Sequence, residues 1–328
     1  MQSQSSTLPA PDVYLNHFIP AQGIQQEAAR NLSLVVLGAT IWDILIYVPD
    51  DIMIICRSRP SLVLVCFVFS RVFACTLVLL AVLMCTHPIP DCHAMAISVA
   101  ITIILAMTTT SFLFLQRVRA LYTENSVVRL AFTLLWLAVS IVVSITVTIG
   151  VGAAHVPGTQ YCHYLVVDRY TATAGFSWLF FDTLVFLAVS YWIISSHSGL
   201  NADVGPAISW VTFAKGQALP KLSRAVLQGG QQYYFIVICL NLPCGILLSI
   251  PSVPSPYKVM MTSPLITLAA SMACRVFRNL RMQDFQASEM QYQFSDVEFN
   301  RALPRSTVTP AVVCSLPSGY PVTATGAS

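Results

Sequence analysis

The chain alternates long apolar runs with short polar interruptions, and the runs fall at 32–55, 61–84, 93–115, 128–152, 174–195, 233–250 and 257–274. Each is close to the roughly 20 residues that a helix needs to cross a hydrocarbon core. None alternates with a period of two, which argues against barrel strands. Inside lipid the helix is the remaining element that satisfies its own backbone. The pattern predicts an all-α integral membrane bundle of seven transmembrane helices. Six crossings are the alternative, because acids interrupt the first run, while the sixth and seventh are short and carry Pro243 and Pro264. The polar remainder divides the chain into a leader over 1–30, a transmembrane domain over 31–274, an amphipathic membrane-surface helix over 275–286 and a tail over 287–328. The tail is rich in Ser, Thr, Pro and Gly, a composition that predicts disorder.

Composition supports the same solvent: 56% of residues are hydrophobic and 9% charged, against roughly 25% charged in soluble domains. The predicted partner is the lipid bilayer. A net charge of +3 gives no sign of nucleic-acid binding. Orientation follows from the basic residues, since short loops rich in Lys and Arg stay cytoplasmic. Arg57 and Arg59 follow the first run, Arg117 and Arg119 the third, Lys215, Lys221 and Arg224 the fifth, and Arg275, Arg278 and Arg281 the seventh. The opposite ends carry Arg30, Arg169 and Lys258. The expected topology has the amino terminus outside and the carboxyl terminus cytoplasmic. Residues 1–30 lack a basic segment followed by an apolar core, so the first span is expected to start insertion itself.

Catalytic signatures are missing: no Walker loop, G-x-G-x-x-G, H-E-x-x-H, G-x-S-x-G or paired C-x-x-C occurs. A non-enzymatic protein without a cofactor is expected. Cys85, His87, Cys92, His93, His155, Cys162 and His163 gather towards the outer face, but their spacing matches no zinc pattern, and no metal is expected. Cys92 and Cys162 fall in outer segments, where a disulfide can persist. A bridge between them would tie the 153–172 loop over the bundle. Two free thiols, or a Cys85–Cys92 pair, are the alternatives.

The chemistry that stands out lies within the apolar runs. In IWDILIYVPDD, residues 41–51, Asp43 and Asp50 are seven apart and share a helix face, while Asp51 lies about 100° from Asp50. Arg71 on the returning helix comes at an intermediate depth, and an isolated charge in lipid costs several kcal/mol. The expected solution is a cluster of Asp43, Asp50 and Arg71 inside the bundle, acting either as a clamp between the first two helices or as a switch. Asp182, in the middle of FSWLFFDTLVF, has no evident basic partner. With Trp178 and Phe181 it forms a candidate ligand pocket, or it is simply hydrogen-bonded to neighbouring helices. In CRVFRNLRMQDF, Val276, Phe277, Leu280 and Phe285 share one side at helical spacing. That pattern reads as a surface helix whose arginines meet anionic lipid, with Cys274 as a candidate for acylation, or as a basic stop signal.

The stretches WDILIYVPDDIMIICRSRPSLVLVCFVFSRV, QRVRALYTEN and ACRVFRNLRMQDF resemble uncharacterised multi-pass membrane proteins abundant in mushroom-forming (basidiomycete) fungi. In those relatives a Trp-Asp-x-Leu segment, an acidic patch, a basic turn and a Ser-Arg in the next helix recur in that order. The resemblance covers most of the first three spans and the end of the seventh. It implies a receptor-like seven-helix layout and no defined activity, since the family is a domain of unknown function. The chain departs from rhodopsin-type receptors: no Asp-Arg-Tyr ends the third span, and no Asn-Pro-x-x-Tyr lies in the seventh. The leading expectation is a receptor-like or sensory protein that binds a cytoplasmic partner through the loops at 116–126 and 197–232. A small-molecule or ion-coupled transporter and a structural membrane protein without a ligand are the alternatives. The plasma membrane is the favoured residence, with an internal membrane as the other option.

Overall fold

The computed structural model describes residues 20–156, 160–167, 169–198, 232–250 and 252–302. In chain order these form α1 (Pro20–Arg57), α2 (Leu62–Thr86), α3 (Cys92–Leu121), α4 (Ser126–Gly150), β1 (Val151–His155), β2 (Cys162–Val167), α5 (Arg169–Ser198), α6 (Gln232–Ser249) and α7 (Ser255–Ala302). The described residues fall into two compact units divided after Met282, the second described as helix over 283–302. The leader up to residue 19, the 199–231 segment and the tail from 303 lie outside the described residues, and with them most of the expected inner loop at 197–232.

Helix starts follow local chemistry. Ser61 caps α2, its hydroxyl accepting from the Leu64 amide at 3.3 Å, and the Asp91 carboxylate accepts from the His93 and Ala94 amides at 2.9 and 3.1 Å to open α3. Asn125 caps α4 in the same manner. Within the helices, hydroxyls turn back to the carbonyl four residues earlier. Ser33 bonds Ala29, Thr40 bonds Val36 and Thr183 bonds Leu179, at 2.7–2.9 Å. This is how a hydroxyl is satisfied where no water reaches it.

Six helices are long and apolar enough to cross a membrane: those over Gly23–Arg57, Leu62–Thr86, Cys92–Leu121, Ser126–Gly150, Ala172–Trp192 and Ser255–Gln286. The sixth expected span is the exception. Its apolar part, Ile236–Ser249, is shorter, about 21 Å at 1.5 Å per residue against a core of about 30 Å. The chain is thus a multi-pass helical membrane protein, with six helices long and apolar enough to cross and one shorter apolar helix among the described residues.

Half of the apolar window of α3 is buried, against 17% for α1 and for α4, so α3 is central. It packs on α2, α4 and α5, and α5 in turn on α6. Ile266 of α7 joins Leu77 of α2 with Val99 and Ala106 of α3 in one core cluster. Polar bonds cross the same centre: Ser70 and Thr110 share a hydrogen bond at 2.8 Å, and the Trp136 indole donates to Ser111 at 2.9 Å. The outer faces of α1 and α4 present Val35, Trp42, Leu45, Val127 and Ile149, all largely exposed, as expected of a lipid-facing belt.

The expected loop over 153–172 contains a two-stranded antiparallel ribbon of β1 and β2. Its register runs from Val151↔Val167 to His155↔Cys162, with an irregularity after Gly152. The bundle is therefore helical but not purely so. The Val156 amide donates to the Tyr161 carbonyl at 2.8 Å, closing the end of the ribbon. Gly and Pro between two β-branched or aromatic runs, VGAAHVPGTQYCHYLVV, are the sequence signal for such a hairpin.

Candidate functional site

The inward face of α1 is set by its buried residues Ala29, Ser33, Val36, Thr40 and Ile54. At about 100° per residue, Tyr47 points along the centre of that face. Asp51 lies about 35° from the centre on one side, and Asp43 about 45° and Asp50 about 65° from it on the other. The expected Asp43–Asp50–Arg71 cluster is corrected by this rotation. Seven residues put Asp50 on the same side as Asp43 but farther from the inward centre, and Asp51 takes its place in the ion pairs. Among the described residues Asp50 has no ion-pair partner.

Arg71 of α2 stands between the two acids, its Nη1 2.7 Å from Asp51 Oδ2 and its Nη2 3.7 Å from Asp43 Oδ2. Its nitrogens form no aligned hydrogen bond, so it acts as a shared counter-charge. Two further arginines come from α7. Arg275 Nη2 donates to Asp43 Oδ1 at 3.0 Å, and Arg278 donates to Asp51 Oδ1 from Nε and Nη2 at 3.1 Å each. The Ser271 hydroxyl donates to Asp43 Oδ2 at 3.0 Å. The Tyr47 ring lies between the acids and faces both arginines of α7, with the Arg278 guanidinium 3.8 Å and that of Arg275 5.2 Å from its centroid. Phe67 and Phe277 pack at 4.8 Å alongside, with Arg71 over Phe67. Three guanidiniums thus meet two carboxylates, joining α1, α2 and α7. The side chain of Arg278 is only 4% exposed, so charge pairing here offsets a desolvation that an unpaired ion could not bear.

Residues 275–286 were expected as a separate surface helix. They continue α7 without a break, and Arg275 and Arg278 turn into the bundle. Cys274, the acylation candidate, is fully buried beside the Phe67 carbonyl, with no room for an acyl chain at its sulfur in this packing. The arginines' role was readable in one respect: two inward acids against a single Arg71 leave a charge deficit that further cations must fill.

At the other end, Cys92 and Cys162 form the disulfide that the sequence favoured, their Cα atoms 5.5 Å apart. The bridge fixes β2 to the start of α3. The Ile89 amide donates to the Gln160 carbonyl at 2.9 Å, and His155 Nε2 meets the Ile89 carbonyl at 3.0 Å. Met84 packs beneath the bridge. Cys92, His155 and Cys162 hold their ligand atoms within 4.8 Å of one another. With both sulfurs in a disulfide, neither is the thiolate that a metal requires.

The α5 candidates are brought together. Ala174, Trp178, Phe181, Asp182, Val185 and Val189 form one buried stripe at helical spacing. Phe180 and Trp192 point outward. The rings of Trp178 and Phe181 lie 6.5 Å apart. Asp182 is 1% exposed; the Trp178 indole lies beside its carboxylate, whose oxygens have no aligned hydrogen bond. Near the helix end, the Tyr122 phenol donates to the Ala188 carbonyl at 2.9 Å. Burial, with Tyr191 close by, pushes that phenol above its ordinary range, so it remains a donor at neutral pH. A cleft among α1, α2, α3 and α7 is lined by Gln26, Ser33, Cys85 and Met260.

No protein-family model matches this sequence, and no curated protein matches it.

Proposed function

We propose that this protein is a non-enzymatic, receptor-like membrane sensor in which the five-charge network locks α7 against α1 and α2. The carrying observation is the reach of that network. Asp43, Asp51, Arg71, Arg275 and Arg278 come from three helices, and a shift of α7 relative to α1 must break ion pairs inside an apolar surround. Such an arrangement resists gradual deformation, because a shift has to exchange whole ion pairs, as a switch requires. The disulfide-tied ribbon holds the opposite end rigid, and Trp178, Phe181 and Asp182 are the ligand-side candidates between them. A carrier would need a polar route through the bundle. The inward neighbours of Asp182 along α5, which are Trp178, Phe181, Val185 and Val189, are apolar or aromatic instead. The resemblance to the fungal family, with its receptor-like layout, supports the same reading, as does the basic asymmetry, from which the ribbon is expected outside and the network towards the cytoplasm.

The test is a pooled small-molecule thermal-shift screen on detergent-purified protein, run on the wild type and on Arg275→Gln/Arg278→Gln. Coupling between sites is reciprocal, so a ligand read by the network changes affinity at least several-fold when the network is cut. If every hit binds both proteins equally, the lock is structural only. Orientation is checked separately with single cysteines placed at positions 20 and 290 in a cysteine-depleted background. Labelling of both from the same side of sealed vesicles would remove the odd number of crossings, and the receptor-like layout with it.

A further inference from the structure

We infer that Cys92, His155 and Cys162 form a redox-gated zinc site: once the disulfide is reduced, the two thiolates and the His155 imidazole hold a Zn2+ ion that fastens the ribbon to α3 in its place. The three side chains come from three elements. Cys92 is the first residue of α3, Cys162 opens β2 and His155 closes β1. His155 and Cys162 stand directly opposite each other in the ribbon register, so their side chains leave the same face, which the bridge to Cys92 turns towards α3. The ligand atoms of all three lie within 4.8 Å of one another. In a tetrahedral site with Zn–S of about 2.3 Å and Zn–N of about 2.0 Å, neighbouring ligand atoms are about 3.5–4 Å apart. Rotation of the side chains is enough to reach that spacing.

Each ligand is prepared by its surroundings. The Ile89 carbonyl accepts from His155 Nε2 at 3.0 Å, which fixes the neutral ring's tautomer and leaves the Nδ1 lone pair for a metal. Cys92 sits at the positive end of α3, where the helix dipole favours an anionic sulfur. Both cysteines are buried over Met84, whereas His155 is exposed and leaves the fourth position to solvent water. Two sulfurs and one imidazole form a set that suits zinc and offers no oxygen to Ca2+ or Mg2+. The exchange balances. A dithiol reductant gives two electrons and two protons to the Cys92–Cys162 bond and leaves as its own disulfide. Zn2+ then displaces the two thiol protons to solvent and forms two Zn–S bonds and one Zn–N bond. The ribbon is thus fastened covalently where thiols are oxidised and by metal where they are kept reduced. The site stands apart from the charge network and does not rest on the receptor reading.

The experiment uses the full chain in detergent, reduced with dithiothreitol, desalted under argon and titrated with Co2+ as a coloured stand-in for zinc. The reduced protein is expected to show a thiolate-to-cobalt charge-transfer band that Zn2+ bleaches, and the oxidised protein to show none. His155→Ala keeps the disulfide and should weaken Co2+ binding by about tenfold or more, since even an outer-shell partner is worth that much. Cys92→Ser and Cys162→Ser should each abolish the band. No band in the reduced protein, an equal band in the oxidised protein, a band that survives either serine variant, or an undiminished affinity in His155→Ala overturns the site. A second measurement needs no variant. After reduction, Zn2+ should slow iodoacetamide alkylation of Cys92 and Cys162 by about tenfold, because the metal holds the thiolates, and leave the exposed Cys56 unchanged. Equal slowing at Cys56, or none at Cys92 and Cys162, sinks the proposal.

Discussion

Asp51 and Asp182 are both aspartates on inward helix faces, yet their surroundings are opposite. Asp51 receives a 2.7 Å contact from Arg71 and two hydrogen bonds from Arg278. Asp182 has no cation and no aligned hydrogen bond among the described residues, with the Trp178 indole beside it. A buried charge with partners belongs to the stability of the fold, because each partner's removal leaves the other charge unmet. A buried acid without partners works against stability, and the packing around it must tolerate the cost. The contrast separates what holds this bundle together from what the bundle holds ready.

Substitutions can break that contrast at either end. The largest effect is expected from Arg278→Leu. It strands Asp51 beside a single cation and should cost about 3–5 kcal/mol, read as a fall in Tm and in surface yield. Next is the pair Asp51→Asn and Arg71→Gln, whose double-mutant cycle should give a coupling of about 1–3 kcal/mol. Strict additivity would show that the 2.7 Å contact has no energetic meaning. Asp182→Asn should change stability by no more than about 1 kcal/mol in either direction, because it exchanges one buried polar group without an aligned hydrogen bond for another. A clear loss there would reveal a partner for the acid. The smallest effect belongs to Asp50→Asn, expected within about 0.5 kcal/mol, which tests the rotation of α1 directly.

The long apolar runs were legible because lipid leaves a helix few alternatives, and the runs of α1 to α5 fall on observed helices. The presence of acids in α1 and their pairing with Arg71 were legible from cost alone. Which acid pairs was not. Counting seven residues from Asp43 finds a shared side, but the buried side is set by Thr40 and Ile54 packing on other helices, which periodicity in a uniformly apolar run does not reveal. Arg275 and Arg278 were misplaced because hydropathy falls at Arg275 while the helix continues, its charges answered by acids more than 220 residues earlier in the chain. The ribbon reads as loop on hydropathy alone, although its Gly-Pro punctuation and β-branched flanks carry the signal. The α5 grouping of Trp178, Phe181 and Asp182 was readable because their spacing fits one stripe.

The network also has a timing. Asp43, Asp51 and Arg71 leave the ribosome early, with one more negative than positive charge, and Arg275 and Arg278 come some 200 residues later. At about 5–20 residues per second that is a wait of roughly 10–40 s. Through that interval the first helical hairpin resides in the translocation machinery or the bilayer with an unmet acid. A chain that stops short of α7 keeps it permanently. The seventh helix therefore does more than add to the bundle: until it arrives, an acid of the first hairpin lacks the cations that answer it.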